Sequence, residues 1–298
     1  MKKAVVYSII IFWAIMMGFF VRREVIPYAF AQPYSGYGSL RAYARLHPSS
    51  QMLIYDGTPS QKLIGATDTA YILKADGTCE VSTRTVIDFR RHSQFASTSP
   101  ARRLVATMIP KFTLQSELEI SPQDTLRSFY IRTRSRQLQT TARGVVEEGS
   151  LHISAALNNE HFERPKHFDK SIPINREDIL AHNFMPIGAI GGLRVGQTWR
   201  FRMIDPLSFQ MSTAYAMVTG KKTVRIGGAW YKVFVVEFPR QVGSVKAYVS
   251  ESNVLLRQTV EAWGLSLEFI RAPLPHQTDA EPPEDLLKQF LSPDQADD

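Results

Sequence analysis

Val81-Ser82-Thr83-Arg84-Thr85-Val86-Ile87-Asp88-Phe89 is the stretch on which the fold turns. Val81, Thr83, Thr85, Ile87 and Phe89 fall on one side of an extended chain. Glu80, Ser82, Arg84 and Asp88 fall on the other. A period of two places one face on a core and the other in water. Antiparallel sheets permit that division, whereas parallel sheets are usually covered on both faces.

The same alternation recurs along the chain in both directions. Leu114, Leu118 and Ile120 alternate with Gln115, Glu117 and Glu119, and Leu151, Ile153, Ala155 and Leu157 with His152 and Ser154. Trp199, Phe201 and Met203 alternate with Arg200 and Arg202; Val254, Leu256 and Val260 oppose Arg257, Thr259 and Glu261; Leu265, Leu267 and Phe269 oppose Ser266 and Glu268. Turn residues sit between the runs at hairpin spacing. They include Ala75-Asp76-Gly77, Ser121-Pro122-Gln123-Asp124, Glu148-Gly149-Ser150, Gly220-Lys221, Gly227-Gly228 and Glu251-Ser252-Asn253. Asp-Gly and Gly-Gly supply the positive φ of tight hairpins. The expectation is a mainly β chain: a large curved antiparallel sheet, open or rolled into a barrel, with one or two short helices. Those helices are expected at Asp178–His182 and at Glu284–Leu291, the latter after Pro282-Pro283.

The sequence divides into four parts. Residues 1–23 read as a membrane segment. Lys2-Lys3 precede eighteen uncharged residues, Ala4 to Val21, and Arg22-Arg23 end the run. Eighteen helical residues reach about 27 Å, just enough for a bilayer core. The rival reading is a signal peptide cleaved near Ala31, after Ala29-Phe30-Ala31. Residues 24–50, carrying Pro27, Pro33, Gly36, Gly38 and Pro48, read as a linker leading into the sheet. The β region is 51–271. It falls into strand sets 51–157 and 197–271 on either side of a polar loop, Asn158–Ile174, and both sets fit one continuous sheet. The tail, 272–298, holds seven carboxylates against Lys288 alone and reads as largely disordered.

Certain phrases of the β region carry a family resemblance. Leu53-Ile54-Tyr55-Asp56-Gly57 leads to Leu63-Ile64-Gly65. Gly191-Gly192-Leu193-Arg194-Val195-Gly196-Gln197-Thr198-Trp199 enters a strand ending Ile204-Asp205-Pro206. Ile226-Gly227-Gly228-Ala229-Trp230-Tyr231-Lys232-Val233 and the run from Ala247 to Arg257 follow. Together these resemble the lipoprotein-carrier-like (LolA/LolB-like) half-barrel. They are also similar to uncharacterised β domains that precede bacterial transglutaminase-like domains. The resemblance implies an incomplete antiparallel barrel whose concave face holds acyl chains or a covering helix. It brings no catalytic residues. The chain departs from the carriers in its apolar N-terminal run and in lacking a lipobox cysteine near its start.

Length and composition narrow the classes. The 298 residues are 44% apolar and 21% charged, as in globular proteins, with net charge +7. The single cysteine, Cys79, excludes an intramolecular disulfide framework and every multi-cysteine metal cage. It lies in line with Val81 and Ile87, where a small buried residue fits. No H-E-x-x-H, G-x-S-x-G or P-loop occurs. Gly188-Ala189-Ile190-Gly191-Gly192 follows no βαβ pattern and reads as a turn. His161, Glu163, His167, Asp169 and His182 are the one group with metal-type ligands. Glu163-Arg164-Pro165 forbids a regular helix that would set both nearby histidines on one face, so a solvated loop is the plainer reading.

Two surfaces remain as candidate sites. A concave apolar lining is expected from Trp199, Phe201, Met203, Trp230, Phe234, Leu265, Leu267 and Phe269. Around Phe234 the strand is apolar on both sides, which fits either a covered central strand or a lipid cavity. A basic face is expected from Arg132, Arg134 and Arg136, with Arg84, Arg90, Arg91, Arg102, Arg103 and Lys111 adding to it. Beside a bilayer such a face attracts anionic lipid at about 1 kcal/mol per charge. No recognition helix or RNP-like phrase points to nucleic acid.

The functional expectation is a single-pass, non-catalytic protein of the bacterial inner membrane. Its β domain stands on the periplasmic side, needs no cofactor or metal, and binds a lipid-like ligand or an envelope protein partner. The first alternative is an accessory subunit of an envelope enzyme or transporter, with a filled core. The second is a metal-dependent hydrolase built on the His161–Asp169 loop.

Overall fold

The structure, a computed structural model, describes residues 2–21, 31–33, 40–59, 61–91, 110–159, 164–175, 178–180, 192–205, 210–239, 244–262 and 265–272. Helix α1 covers Lys2–Phe20, strand β1 Gln32–Pro33 and helix α2 Leu40–Leu46. A meander follows: β2 (Ser49–Asp56), β3 (Leu63–Leu73), β4 (Cys79–Asp88), β5 (Lys111–Ile120), β6 (Leu126–Arg134), β7 (Leu138–Glu147), β8 (Ser150–Asn159) and β9 (Lys166–Pro173). After β10 (Ile179–Leu180) come β11 (Thr198–Asp205), β12 (Gln210–Ile226), β13 (Ala229–Pro239), β14 (Ser244–Ser250), β15 (Leu255–Ala262) and β16 (Leu265–Ala272).

All sixteen strands form one sheet, in the order β1-β11-β12-β13-β14-β15-β16-β2-β3-β4-β5-β6-β7-β8-β9, with β10 also on β11. Apart from the short parallel pairs of β1 and β10 with β11, every pairing is antiparallel between neighbours in sequence, with one exception. That exception joins the two strand sets: β16 lies antiparallel to β2, with Phe269 opposite Ile54. The turn chemistry explains the tight register. Gly227 and Gly228 both have positive φ (55° and 90°), as do Glu148 and Gly149 (49° and 75°). That pattern is the two-residue turn whose twist matches the strands it joins.

The sheet curls until its ends approach each other, giving a β-barrel-like body. At the seam Arg202 of β11 donates to the carbonyl of Pro173, the last residue of β9, at 3.4 Å. One buried cluster runs through the interior. It takes Ile54, Ile64, Leu114, Phe129, Ile131, Leu151 and Ile172 from one half, and Trp199, Phe201, Val218, Val236, Leu267 and Phe269 from the other. Helix α2 adds Leu40 and Ala44 to this cluster. Arg41 pins α2 to the β5–β6 turn, reaching the Ser121 carbonyl at 2.9 Å and Asp124 at 3.0 Å. The segment read as a linker therefore contains both a short strand and a core-packed helix.

Three features differ from the sequence reading. The loop expected over Asn158–Ile174 contains strand β9, whose Lys166–Ser171 are exposed. An outermost strand wetted on both sides shows no alternation, so its polarity mimics a loop. The helix expected from Asp178 is extended where described, because Ile179 and Leu180 pair with Met203 and Ile204. The Asp178 carboxylate, which could have capped a helix, accepts the Asn175 amide at 2.7 Å instead. Helix α1 lies where the bilayer-spanning helix is expected, but among the described residues no helix is long and apolar enough to cross a membrane. The expected helix Glu284–Leu291, with the rest of the tail from Pro273, lies outside the described residues.

Candidate functional site

The interior is built from strand faces that the alternation puts inward. Of the expected lining, Trp199, Phe201, Phe234, Leu265, Leu267 and Phe269 are all buried members of the one core cluster. Each such burial is worth about 2 kcal/mol of apolar transfer. Phe201 meets Phe238 edge to face at 6.4 Å, as interior aromatics prefer. Trp230 is different: it is 69% exposed. It shares the inward parity of Phe234, yet it stands at the β12–β13 turn, past the end of the packed interior. Met203 lies on β11, and its side chain is outside the described residues. The outer face of β13 is covered as well. Val233 packs with Ile226, Val254 and Leu256 in a separate cluster, which accounts for a strand apolar on both sides.

The β3–β7 half of the interior is lined with hydroxyls. Thr67 and Thr85 share a hydrogen bond at 2.7 Å, and Thr69 and Thr83 one at 3.2 Å. Thr133 stands opposite Thr140. The buried Ser116 hydroxyl has no hydrogen-bond partner among the described residues. Arg271 closes this side by donating to the Tyr43 hydroxyl (3.0 Å) and to the Ser50 hydroxyl (3.1 Å). Burial pushes the Tyr71 hydroxyl well above its ordinary range, with the Tyr43 hydroxyl adding to the rise. Burial also pushes the Cys79 thiol up, so Cys79 is a packed side chain and not a ready thiolate.

One groove opens on the outer face of β7–β9. Its volume is about 540 Å³, and Arg143, Val145, Glu147, His152, Ile153, Ser154, Asp169, Lys170 and Ser171 line it. The register sets Arg143, Ser154 and Asp169 in one row, and Val145, His152 and Ser171 in the next. The groove offers donors and acceptors to a polar ligand, but its charges face water, where each interaction is weak. Of the metal-type residues, His167 and Asp169 lie on the outer face of β9, while His161, Glu163 and His182 fall outside the described residues. Among the described residues no group of three or more His, Cys, Asp or Glu side chains could hold a metal ion.

The expected basic face separates into two places. Arg132 lies mid-sheet and half-buried, opposite Gln115 and Thr141. Arg134 and Arg136 are exposed at the β6–β7 turn. There they join the β4–β5 and β8–β9 connections on one rim, because alternate hairpins of a meander emerge at the same end.

Two buried or half-buried ion pairs stand out among those that the sequence reading missed. Asp178 with Arg202 fixes the seam. Arg257 with the buried Glu268 sits on the outer face, and the Arg257 guanidinium lies 5.2 Å from the Tyr248 ring. Glu268 and Arg257 both looked like solvent-side residues, and only the pairing of β15 with β16 brings them together.

No protein-family model matches the chain. No curated protein matches it either. Among solved structures it is similar to a β-barrel-like protein of domain of unknown function DUF1849 from Brucella abortus. The TM-score is 0.45 and the identity 8%, over 75% of this chain and 94% of that one. Nothing about activity or ligand follows from that likeness, and it does not single out the lipoprotein carriers.

Proposed function

We propose that the chain is a membrane-tethered, non-catalytic protein of the bacterial envelope. Its β-barrel-like domain has a filled core and works through its outer surface on a protein partner. The observation that carries this reading is the packing of the expected lining into one buried cluster. An empty acyl-chain cavity would leave Trp199, Phe201, Phe234 and Phe269 accessible, and each is at most 7% exposed. The tether is α1. From Ile11 to Val21 its side chains are exposed, Phe12 by 67%, Trp13 by 62% and Phe19 by 65%. Apolar side chains at that density are at home in lipid rather than water.

Two measurements test the proposal. Titration of the domain lacking residues 1–23 with a fluorescent fatty acid should give no saturable signal, and one-to-one saturation would favour the lipid-carrier reading instead. In membrane fractions the full chain should resist alkaline carbonate extraction, while the chain without residues 1–23 should be recovered in the soluble fraction. Release of both forms would remove the tether from the proposal.

A further inference from the structure

The β12–β13 hairpin outruns the strands beside it. β12 and β13 stay paired from Met217 with Glu237 out to Ile226 with Ala229. β11 accompanies β12 only as far as Met217, and β14 accompanies β13 only from Val233. Residues 221–232 therefore form a two-stranded arm past both neighbours. One face of the arm is packed, with Val224 and Ile226 joining Val233, Val254 and Leu256. The other face is exposed and carries Lys221, Thr223, Arg225, Trp230 and Lys232, with Trp230 directly opposite Arg225. Residues 221–232 hold no carboxylate. Lys221 pairs with Glu251 at 3.0 Å, and Arg225 donates to the Gly228 carbonyl of its own turn at 3.2 Å. Among the described residues Lys222, Arg225 and Lys232 pair with no acid.

The arm stands at a distinctive end of the barrel. Alternate hairpins of a meander emerge together, so it shares that end with the β3–β4, β5–β6, β7–β8 and β14–β15 turns. Outside α1, seven large apolar side chains are exposed among the described residues, and five of them stand here: Leu46, Ile72, Leu73, Val195 and Trp230. Val195 lies at the base of the arm, where the Gly196 amide donates to the Val218 carbonyl. Apolar groups gathered on one surface mark a place of contact. The acids of this end, Asp76, Glu80, Asp124, Glu147 and Glu148, belong to the β3–β8 turns, and Lys74 and Arg41 already pair with Glu80 and Asp124. The arm is thus the positive part of the rim. The N-terminal chain enters at the same end, since Gln32 of β1 lies opposite Trp199 at the start of β11.

We infer that the β12–β13 arm is a second membrane contact, which seats Trp230 among the headgroups of an anionic bilayer and sets Lys222, Arg225 and Lys232 against their phosphates. A tryptophan ring is apolar with one polar N–H, which suits the boundary between lipid and water. Cations near an anionic leaflet are drawn to it within a Debye length of the surface. Because the arm and the N-terminal chain leave one end, both reach the same bilayer and hold the barrel end-on. That orientation rests on the tether proposed above; the chemistry of the arm does not. The opposite rim, with Arg134 and Arg136, is then turned away from the lipid.

The test uses the full chain with Cys79→Ala, labelled with an environment-sensitive fluorophore at Ala229→Cys, in nanodiscs whose lipids carry brominated acyl chains. In discs containing phosphatidylglycerol the label should be quenched at least 2-fold, while a label at Phe168→Cys on β9 should stay unquenched. Lys222→Glu with Lys232→Glu should remove at least half of the quenching. Arg136→Glu with Arg164→Glu makes the same change in net charge at exposed positions of the opposite rim and should leave it unchanged. Equal quenching at the two labels, or equal losses from the two double variants, would overturn the arm as the contact. Quenching as strong in phosphatidylcholine discs would overturn the role of the cations. A label shielded merely by concentrating the chain without lipid would place a second copy on the arm and refute the proposal. Failure of the chain to enter the discs would refute the tether and the end-on orientation. Sedimentation with phosphatidylglycerol vesicles then decides the arm by itself: Trp230→Ala should weaken binding at least 5-fold, and an unchanged affinity would overturn it.

Discussion

Asp178 and Arg202 face each other across the seam of the sheet. Arg202 Nε donates to one carboxylate oxygen at 2.7 Å and Nη2 to the other, and the Asp178 side chain is wholly buried while one-third of Arg202 is exposed. Removing one partner of a buried pair costs about 3 kcal/mol or more, because the other is left unpaired. The two partners are unequal. Arg202→Met strands a buried carboxylate, whereas Asp178→Asn leaves a cation that water can reach. Urea unfolding should therefore show both variants destabilised and Arg202→Met more so. The double variant should cost less than the sum of the two.

Gly144 and Phe129 are direct cross-strand partners on β7 and β6. A Cβ at Gly144 would stand 2.2 Å from the Phe129 ring, which is buried in the core. The ring must shift within a buried site, so Gly144→Ala should destabilise by about 1–3 kcal/mol through overpacking. Adding Phe129→Leu should recover part of the loss. A thermal or urea midpoint for the three variants checks the order.

Cys79 has no exposed surface, and burial raises its thiol pKa. Both effects suppress the reactive thiolate. The folded chain at pH 8 should react with a thiol reagent at least 10-fold more slowly than the chain in urea, and Cys79→Ala should abolish labelling in both states. Fast labelling of the folded chain would mean that the β4 edge of the core opens readily.

His47 follows α2, with its ring 4.7 Å from the Tyr43 ring. Burial, and then the nearby Arg271 charge, lower its pKa from the ordinary 6.5. The unfolded chain takes up the proton first as pH falls. The contribution of His47 to stability is therefore complete above pH 6.5 and lost as pH falls from there through the lower folded value. His47→Asn should narrow the stability difference between pH 7.5 and pH 5, as read by urea midpoints at the two values.

Alternation was legible wherever a strand has one dry face and one wet face. β4, β5, β8 and β16 read directly from their residues, and the glycine turns marked the hairpins between them. β9 was hidden because it is wetted on both faces, leaving no period to read. The expected lining shows the same limit. Parity placed Trp199 to Phe269 inward, yet it could not say that they pack together, or that Trp230 lies beyond the packed region. Pairs that join distant segments, such as Asp178 with Arg202 or Arg271 with Tyr43, leave no local spacing in the chain.

The contact between β16 and β2 also bears on how the domain is made. Strand β16 takes a place in the middle of the sheet, beside β2 from the far end of the strand order in sequence. Until β16 has left the ribosome, β2 keeps one edge unsatisfied, and an unsatisfied edge invites pairing with other chains. Stop codons just before Leu265 should thus be as damaging as early ones, and a nascent chain of this kind gains from a chaperone that shields its first hairpin until β16 arrives.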